Sequence, residues 1–76
     1  MSIMASNTTI QSMLFAVHWC EEHYSGLPKV LKEKGLPEEW IYEVMARFNV
    51  ARRTARDYLL TANAKIKLKE ESWKNE

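Results

Sequence analysis

Residues 43–60 read EVMARFNVARRTARDYLL, a pattern that predicts two amphipathic helices joined by a turn of three or four residues. Apolar residues recur at helical spacing on both sides of the turn, from Val44 before it to Leu59 after it. Asn49 marks the turn, because asparagine tolerates the positive φ at which many helices end. Such a turn sends the second helix across the first and leaves one face of the second helix in solvent.

The exposed face of that second helix carries three arginines, Arg52, Arg53 and Arg56. A guanidinium group presents a rigid fork of donors that matches both guanine edges and phosphate oxygens. The row therefore predicts a helix that lies in the major groove of double-stranded DNA. Arg47, before the turn, is expected to contact a nearby phosphate.

The net charge of +1 hides a strong sorting of charge along the chain. Residues 1–45 carry −3, residues 46–69 carry +6, and residues 70–76 carry −2. A basic block inside a nearly neutral chain indicates one surface that faces an anion, and DNA is the usual anion.

Five segments make up the expected organisation. Apolar spacing predicts a helix from about Thr9 to Tyr24, a short helical stretch over Lys29–Lys34 and a helix over Pro37–Phe48, followed by a helix over Ala51–Ala62. Lysines then alternate with Ile66 and Leu68, a pattern typical of a half-buried strand. A frayed extension of the preceding helix is the competing interpretation of that segment.

The segment 44–59, VMARFNVARRTARDYL, resembles the helix-turn-helix of winged-helix transcriptional regulators. It departs from the family pattern at Met45, where alanine is usual, at Asn49, where glycine is commonest, and at Ala51, where a capping serine is typical. In size and style the chain resembles the compact regulators encoded by archaeal viruses and plasmid–virus hybrids.

The resemblance implies a mainly α fold with three helices and a short or truncated β wing at the C-terminal end. Residues 1–76 would form a single winged helix-turn-helix domain, with the helix-turn-helix at about 37–62, a wing strand over 64–69 and a polar tail over 70–76. The implied function is sequence-specific binding of double-stranded DNA and regulation of transcription, with repression by promoter occlusion. The residues expected to contact DNA are Arg47, Ala51, Arg52, Arg53, Thr54, Arg56, Lys65, Lys67 and Lys69.

Two other functions fit the same pattern. A small helical protein–protein adaptor would keep the fold but bind DNA weakly and without salt dependence. A DNA-architectural or recombination accessory factor would bind DNA with a low ratio of specific to non-specific affinity.

Catalysis and metal binding are not expected. His18, Cys20 and His23 do not share one helix face, and no second cluster supplies the four ligands of a structural zinc site. No third group would orient a Cys/His nucleophile, so we expect no enzyme, no cofactor and no small-molecule ligand. A lone cysteine and the lack of a long apolar run favour a cytoplasmic protein without a membrane anchor.

Phe15 and Trp19 lie one turn apart, away from the apolar stripe that feeds the core. An aromatic pair left in water is unusual for a small protein and more often marks an interface. We expect either a homodimer with this pair near its axis or a monomer in which Trp73 of the C-terminal tail covers it.

Overall fold

The computed structural model describes the backbone of residues 2–75 and the side chains of residues 11–71. This part of the chain is mainly helical, which confirms the predicted fold class at that level. Its helices are α1 (Ser2–His23), α2 (Leu27–Glu33), α3 (Glu38–Phe48) and α4 (Arg52–Asn75).

Proline, glycine and asparagine set the bounds of the two middle helices. α2 has Pro28 in its first turn, where the missing N–H needs no partner, and it ends before Gly35, whose φ is 81°. α3 follows the extended Pro37. It ends at Asn49, which adopts the left-handed conformation (φ 53°, ψ 53°) while its N–H donates to the Met45 carbonyl. Asparagine therefore acts here as the predicted turn residue.

α4 is the central element of the fold, because each of the other three helices packs against it. The closest packing uses small residues, since Ala55 and Ala62 are fully buried together with Leu59. The core that results is small, and it draws on all four helices. Its buried members are Val17, Cys20, Tyr24, Leu27, Ile41, Val44, Ala55, Leu59 and Ala62.

The predicted wing strand is wrong. Residues 64–69 continue α4 without a break, and the structure assigns no strand to any part of residues 2–75. The segment 70–75, predicted as a polar tail, also belongs to this helix. The interpretation of residues 64–69 as an extension of the preceding helix is the one that the structure supports.

The physical reason lies in how the two apolar residues of that segment are placed. Ile66 is half-buried against the core, whereas Leu68 is 63% exposed. In a half-buried strand both would face the same side, but in a helix residues two apart differ by about 200° around the axis. The alternation of Ile66 and Leu68 with lysines therefore does not reflect a shared buried face. In addition, no Gly or Pro between Arg52 and Asn75 ends the helix earlier.

Candidate nucleic-acid interface

Three exposed cations share one stripe along α4. Arg53 and Arg56 are one turn apart in the first two turns of the helix, and Lys67 follows about three turns later on the same side. None of the three forms an ion pair with any side chain of residues 11–71. The half-buried Leu60 lies between them on the stripe. We call Arg53, Arg56 and Lys67 the basic stripe.

Arg52 lies outside this stripe, because its guanidinium group turns back onto α3. Nη2 is 2.6 Å from Oε1 of Glu38, and Nη1 is 3.4 Å from the hydroxyl of Tyr42. The ion pair with Arg52 holds the pKa of the Glu38 carboxyl below its ordinary value and raises the pKa of Arg52. Arg52 thus fixes the start of α4 against the start of α3, a contact over 14 residues of sequence that periodicity does not reveal.

The three lysines at the end of the predicted DNA surface face two directions, because in a helix Lys65 and Lys69 lie one turn apart on the side opposite Lys67. Lys67 belongs to the basic stripe, and Lys65 lies about 160° away from it around α4. Lys69 faces α1, with its ammonium nitrogen 3.0 Å from Oε1 of Glu21. The Glu21 side chain is only 7% exposed, so this ion pair supplies a charge partner for a buried carboxylate.

Arg47 lies at the end of α3 and covers an aromatic ring. Its guanidinium carbon is 4.9 Å from the centre of the Trp19 ring, within the range of a cation–π contact.

Two remaining residues that the sequence predicts to contact DNA lie at the start of α4. Ala51 is exposed and its carbonyl accepts the first helical hydrogen bond, from Ala55, while Thr54 is half-buried.

Phe15 and Trp19 differ from each other in exposure. Phe15 is 59% exposed, whereas Trp19 is half-buried in a cluster of rings. Trp19 stacks on His23 at 4.2 Å between ring centres and meets Phe48 edge to face at 5.5 Å. Phe48 and Arg47 of α3 therefore cover part of Trp19, a contact that the sequence did not predict. Trp73, the proposed cover, lies outside the described side chains.

The aromatic cluster joins α1 to α3 and fixes the base of the turn. Phe48 contacts Trp19 on α1 and Tyr58 on α4, both edge to face. Tyr24 stacks on Trp40 at 4.5 Å, and its hydroxyl donates to the Glu43 carboxylate. The sequence offers one signal for this cluster, since aromatic residues occur in each of the three helices that it connects, α1, α3 and α4.

An open groove of about 500 Å³ runs between α1 and the turn that joins α3 to α4. Its walls combine apolar and aromatic side chains with Gln11 and Ser12 of α1 and with Arg47. The apolar and aromatic lining residues are Phe15, Ala16, Phe48, Val50 and Tyr58.

The histidines and the cysteine of α1 are engaged separately. His18 lies 2.9 Å from a carboxylate oxygen of Glu22, His23 stacks on Trp19, and Cys20 is fully buried. Burial raises the pKa of the Cys20 thiol to about 11. Within the described residues, no three His, Cys, Asp or Glu side chains come together as a metal site would need.

None of the described helices combines the length and the apolar character that crossing a membrane requires. Comparison with known proteins gives no match, since no family model, no curated protein and no solved structure is similar to this chain.

Proposed function

We propose that α3, the turn after it and α4 act as a helix-turn-helix that binds double-stranded DNA in a sequence-specific manner. The protein would regulate transcription from the cytoplasm by binding, without catalysis, and most simply by occupying a promoter. The observation that carries the proposal is the basic stripe. Three exposed cations lie on one side of a helix, where they can meet an anion, and none forms an ion pair with a carboxylate among residues 11–71.

The two ends of the stripe suit two kinds of DNA contact. Arg53 and Arg56 lie in the first turns of α4, the part of a recognition helix that meets base edges in the major groove. Lys67 lies about 16 Å further along the axis, where a flexible ammonium group suits a phosphate. Phosphate contacts position a protein on the duplex, and contacts to base edges give the sequence preference.

Arg52 has a positioning role in this proposal. Its ion pair with Glu38 and its hydrogen bond to Tyr42 tie the first turn of α4 to α3. A recognition helix has to be held rigidly, because small shifts of its arginines would misalign their donors with the bases. The aromatic contacts of Phe48 hold the other side of the turn.

The test begins with selection of a preferred duplex from a random-sequence pool, followed by measurement of affinity for the selected and for scrambled duplexes. We expect Arg53→Ala and Arg56→Ala each to weaken specific binding by about 1–3 kcal/mol and to relax the preference at one base position. Lys65→Ala is the matched control, because it removes one exposed cation of α4 from the opposite side. Circular dichroism verifies that all three variants fold.

Three outcomes would point elsewhere. Unchanged affinity in both arginine variants would mean that the basic stripe does not enter the groove. Binding that is equally tight to all duplexes would indicate an architectural or recombination accessory factor. A parent protein whose weak DNA binding does not respond to salt would instead be a protein–protein adaptor.

A further inference from the structure

The open groove between α1 and the turn after α3 is lined on one side by a single face of α1. Gln11 and Phe15 are one turn apart on this helix, and so are Ser12 and Ala16. The other lining residues belong to α3, the turn and α4. The volume of about 500 Å³ lies within the range of sites for small molecules, about 300–1,000 Å³. A molecule bound here would contact α1 and both helices of the proposed helix-turn-helix.

Three aromatic rings give the groove its apolar surface. Phe48 meets Phe15 at 6.2 Å and Tyr58 at 6.5 Å between ring centres, both edge to face. Phe15 is 59% exposed, so an apolar group that covers it would remove a large apolar surface from water. Aromatic rings pack on further rings either edge to face or offset and stacked. The groove therefore suits a planar apolar group.

Of the described residues that line the groove, Arg47 alone is charged. Its guanidinium group lies over the ring of Trp19 and forms no ion pair with a carboxylate among residues 11–71. A guanidinium group stacked on a ring keeps its N–H donors available, because they lie in its own plane. The carboxylate one turn before Arg47, that of Glu43, accepts the hydrogen bond of Tyr24 instead. The groove thus favours an anion over a neutral or cationic molecule.

We propose that this groove binds a small amphipathic anion, a planar apolar group that carries one carboxylate. The carboxylate accepts N–H bonds from Arg47, whose fork of donors matches its two oxygens. The planar group lies along Phe15, Phe48 and Tyr58, and the Ser12 hydroxyl offers one further donor. The sequence predicted no ligand, because the lining comes from helices that only the tertiary structure brings together.

The site goes beyond the proposed DNA binding and does not rest on it, because none of Arg53, Arg56 and Lys67 lines the groove. If both proposals hold, the anion is an effector, since it contacts α1, the end of α3 and the start of α4 together. A ligand that binds one position of α4 against α1 more tightly than another shifts the DNA affinity by that difference.

The experiment uses 2-naphthoate as the probe and the full chain without DNA. Backbone amide signals in ¹H–¹⁵N NMR spectra follow a titration to about 10 mM at constant ionic strength, with an expected dissociation constant of about 1 mM or below. The largest shifts are expected at Ser12, Phe48 and Val50. Two partial probes separate the contributions of ring and charge. 2-Naphthylmethanol has the ring without the charge, acetate has the charge without the ring, and each should bind at least about fivefold more weakly.

Three variants assign the contacts. Arg47→Gln should weaken 2-naphthoate at least about fivefold and leave 2-naphthylmethanol unchanged, because it removes the charge that only the carboxylate uses. Lys65→Gln is the control, since it removes an exposed cation of α4 outside the groove and should leave both affinities unchanged. Phe15→Ala should weaken both aromatic probes, and it tests the site independently if Arg47→Gln does not fold.

Four results would overturn the proposal. The first is the absence of saturable shifts up to 10 mM 2-naphthoate, and the second is shifts that follow the basic stripe instead of the groove. The third is equal affinity for 2-naphthylmethanol, and the fourth is unchanged affinity in a folded Arg47→Gln. Loss of DNA binding in Arg53→Ala leaves the 2-naphthoate titration unchanged, so the two proposals fail separately.

Discussion

At the scale of single residues, the role of each arginine depends on its neighbours. Arg52, Arg53 and Arg56 look equivalent in the sequence, yet of the three only Arg52 forms an ion pair among residues 11–71, with Glu38. The pKa of Glu38 is lowered by this contact, so the pair is present at neutral pH and is lost only as the pH falls through that lowered pKa. The arginines left without partners are the ones that we propose for DNA.

Cys20 shows how burial alone changes a residue's chemistry. Its pKa is raised to about 11, while the pKa of an exposed thiol is about 8.5. The unfolded chain therefore loses the proton first, and the contribution of Cys20 to stability is complete below pH 8.5 and lost as the pH rises toward 11. We expect the free energy of unfolding to fall by about 1–2 kcal/mol more in the parent than in Cys20→Ala between pH 8 and 10.5.

Denaturant unfolding at several pH values measures this difference. Cys20→Ala is the suitable reference, because it differs from the parent only in lacking the thiol. The variant is less stable at every pH owing to the lost volume, so only the change with pH is compared. Parallel curves for the two proteins would show that Cys20 is not shielded from solvent.

At the scale of elements, α4 makes a prediction that separates a helix from a strand at residues 64–69. Ile66 packs against the core and Leu68 is exposed, so Ile66→Ala should destabilise the fold by about 1–3 kcal/mol. Leu68→Ala should change stability by less than about 0.5 kcal/mol. Equal losses would be expected of a half-buried strand and would contradict the helix, and denaturant midpoints at unchanged m-value provide the measurement.

The sequence predicts best those helices whose ends carry residues with characteristic backbone angles, such as proline and asparagine. Pro37 and Asn49 bound α3 to within one residue of the predicted helix, because each restricts or permits a specific backbone angle. The end of α4 has no such residue, and its lysines, glutamates and leucine are good helix formers that happen to alternate. The alternating pattern of residues 64–69 therefore favoured a strand, although helix propensity and packing against the core make this segment helical.

Contacts between distant residues account for the rest of what sequence missed. The pairing of Arg52 with Glu38 spans two helices, and that of Lys69 with Glu21 joins α1 to α4. Neither follows from helical spacing, because both depend on how the helices cross. For that reason the arginine row and the lysine row were predicted as uniform DNA surfaces, although one member of each forms an ion pair within the chain.

At the scale of the whole molecule, the polar and apolar surfaces are separated. The uncharged part of α1 and the open groove adjoin each other, while the basic stripe follows α4. The body measures 44 × 32 × 16 Å, and its thickness leaves room for few fully enclosed side chains. Small cores often gain stability from a partner, and the homodimer expected from the sequence stays a prediction.

The side of α4 on which each cation lies determines whether it contributes to the salt dependence of DNA binding. Each phosphate contact contributes about 0.9 to the slope of log affinity against log salt concentration. We expect Lys67→Gln to lower the slope by about 0.9 per bound protomer, because Lys67 shares the side of α4 that carries Arg53 and Arg56. Lys65→Gln should leave the slope unchanged, since Lys65 lies on the opposite side of the same helix. Each variant loses one exposed lysine, and the two positions are only two residues apart, so both variants change the net charge and the helix propensity alike. Titrations of one selected duplex at several salt concentrations measure the two slopes. An equal decrease in both would mean that DNA surrounds this end of α4, and no decrease in Lys67→Gln would confine the interface to the two arginines.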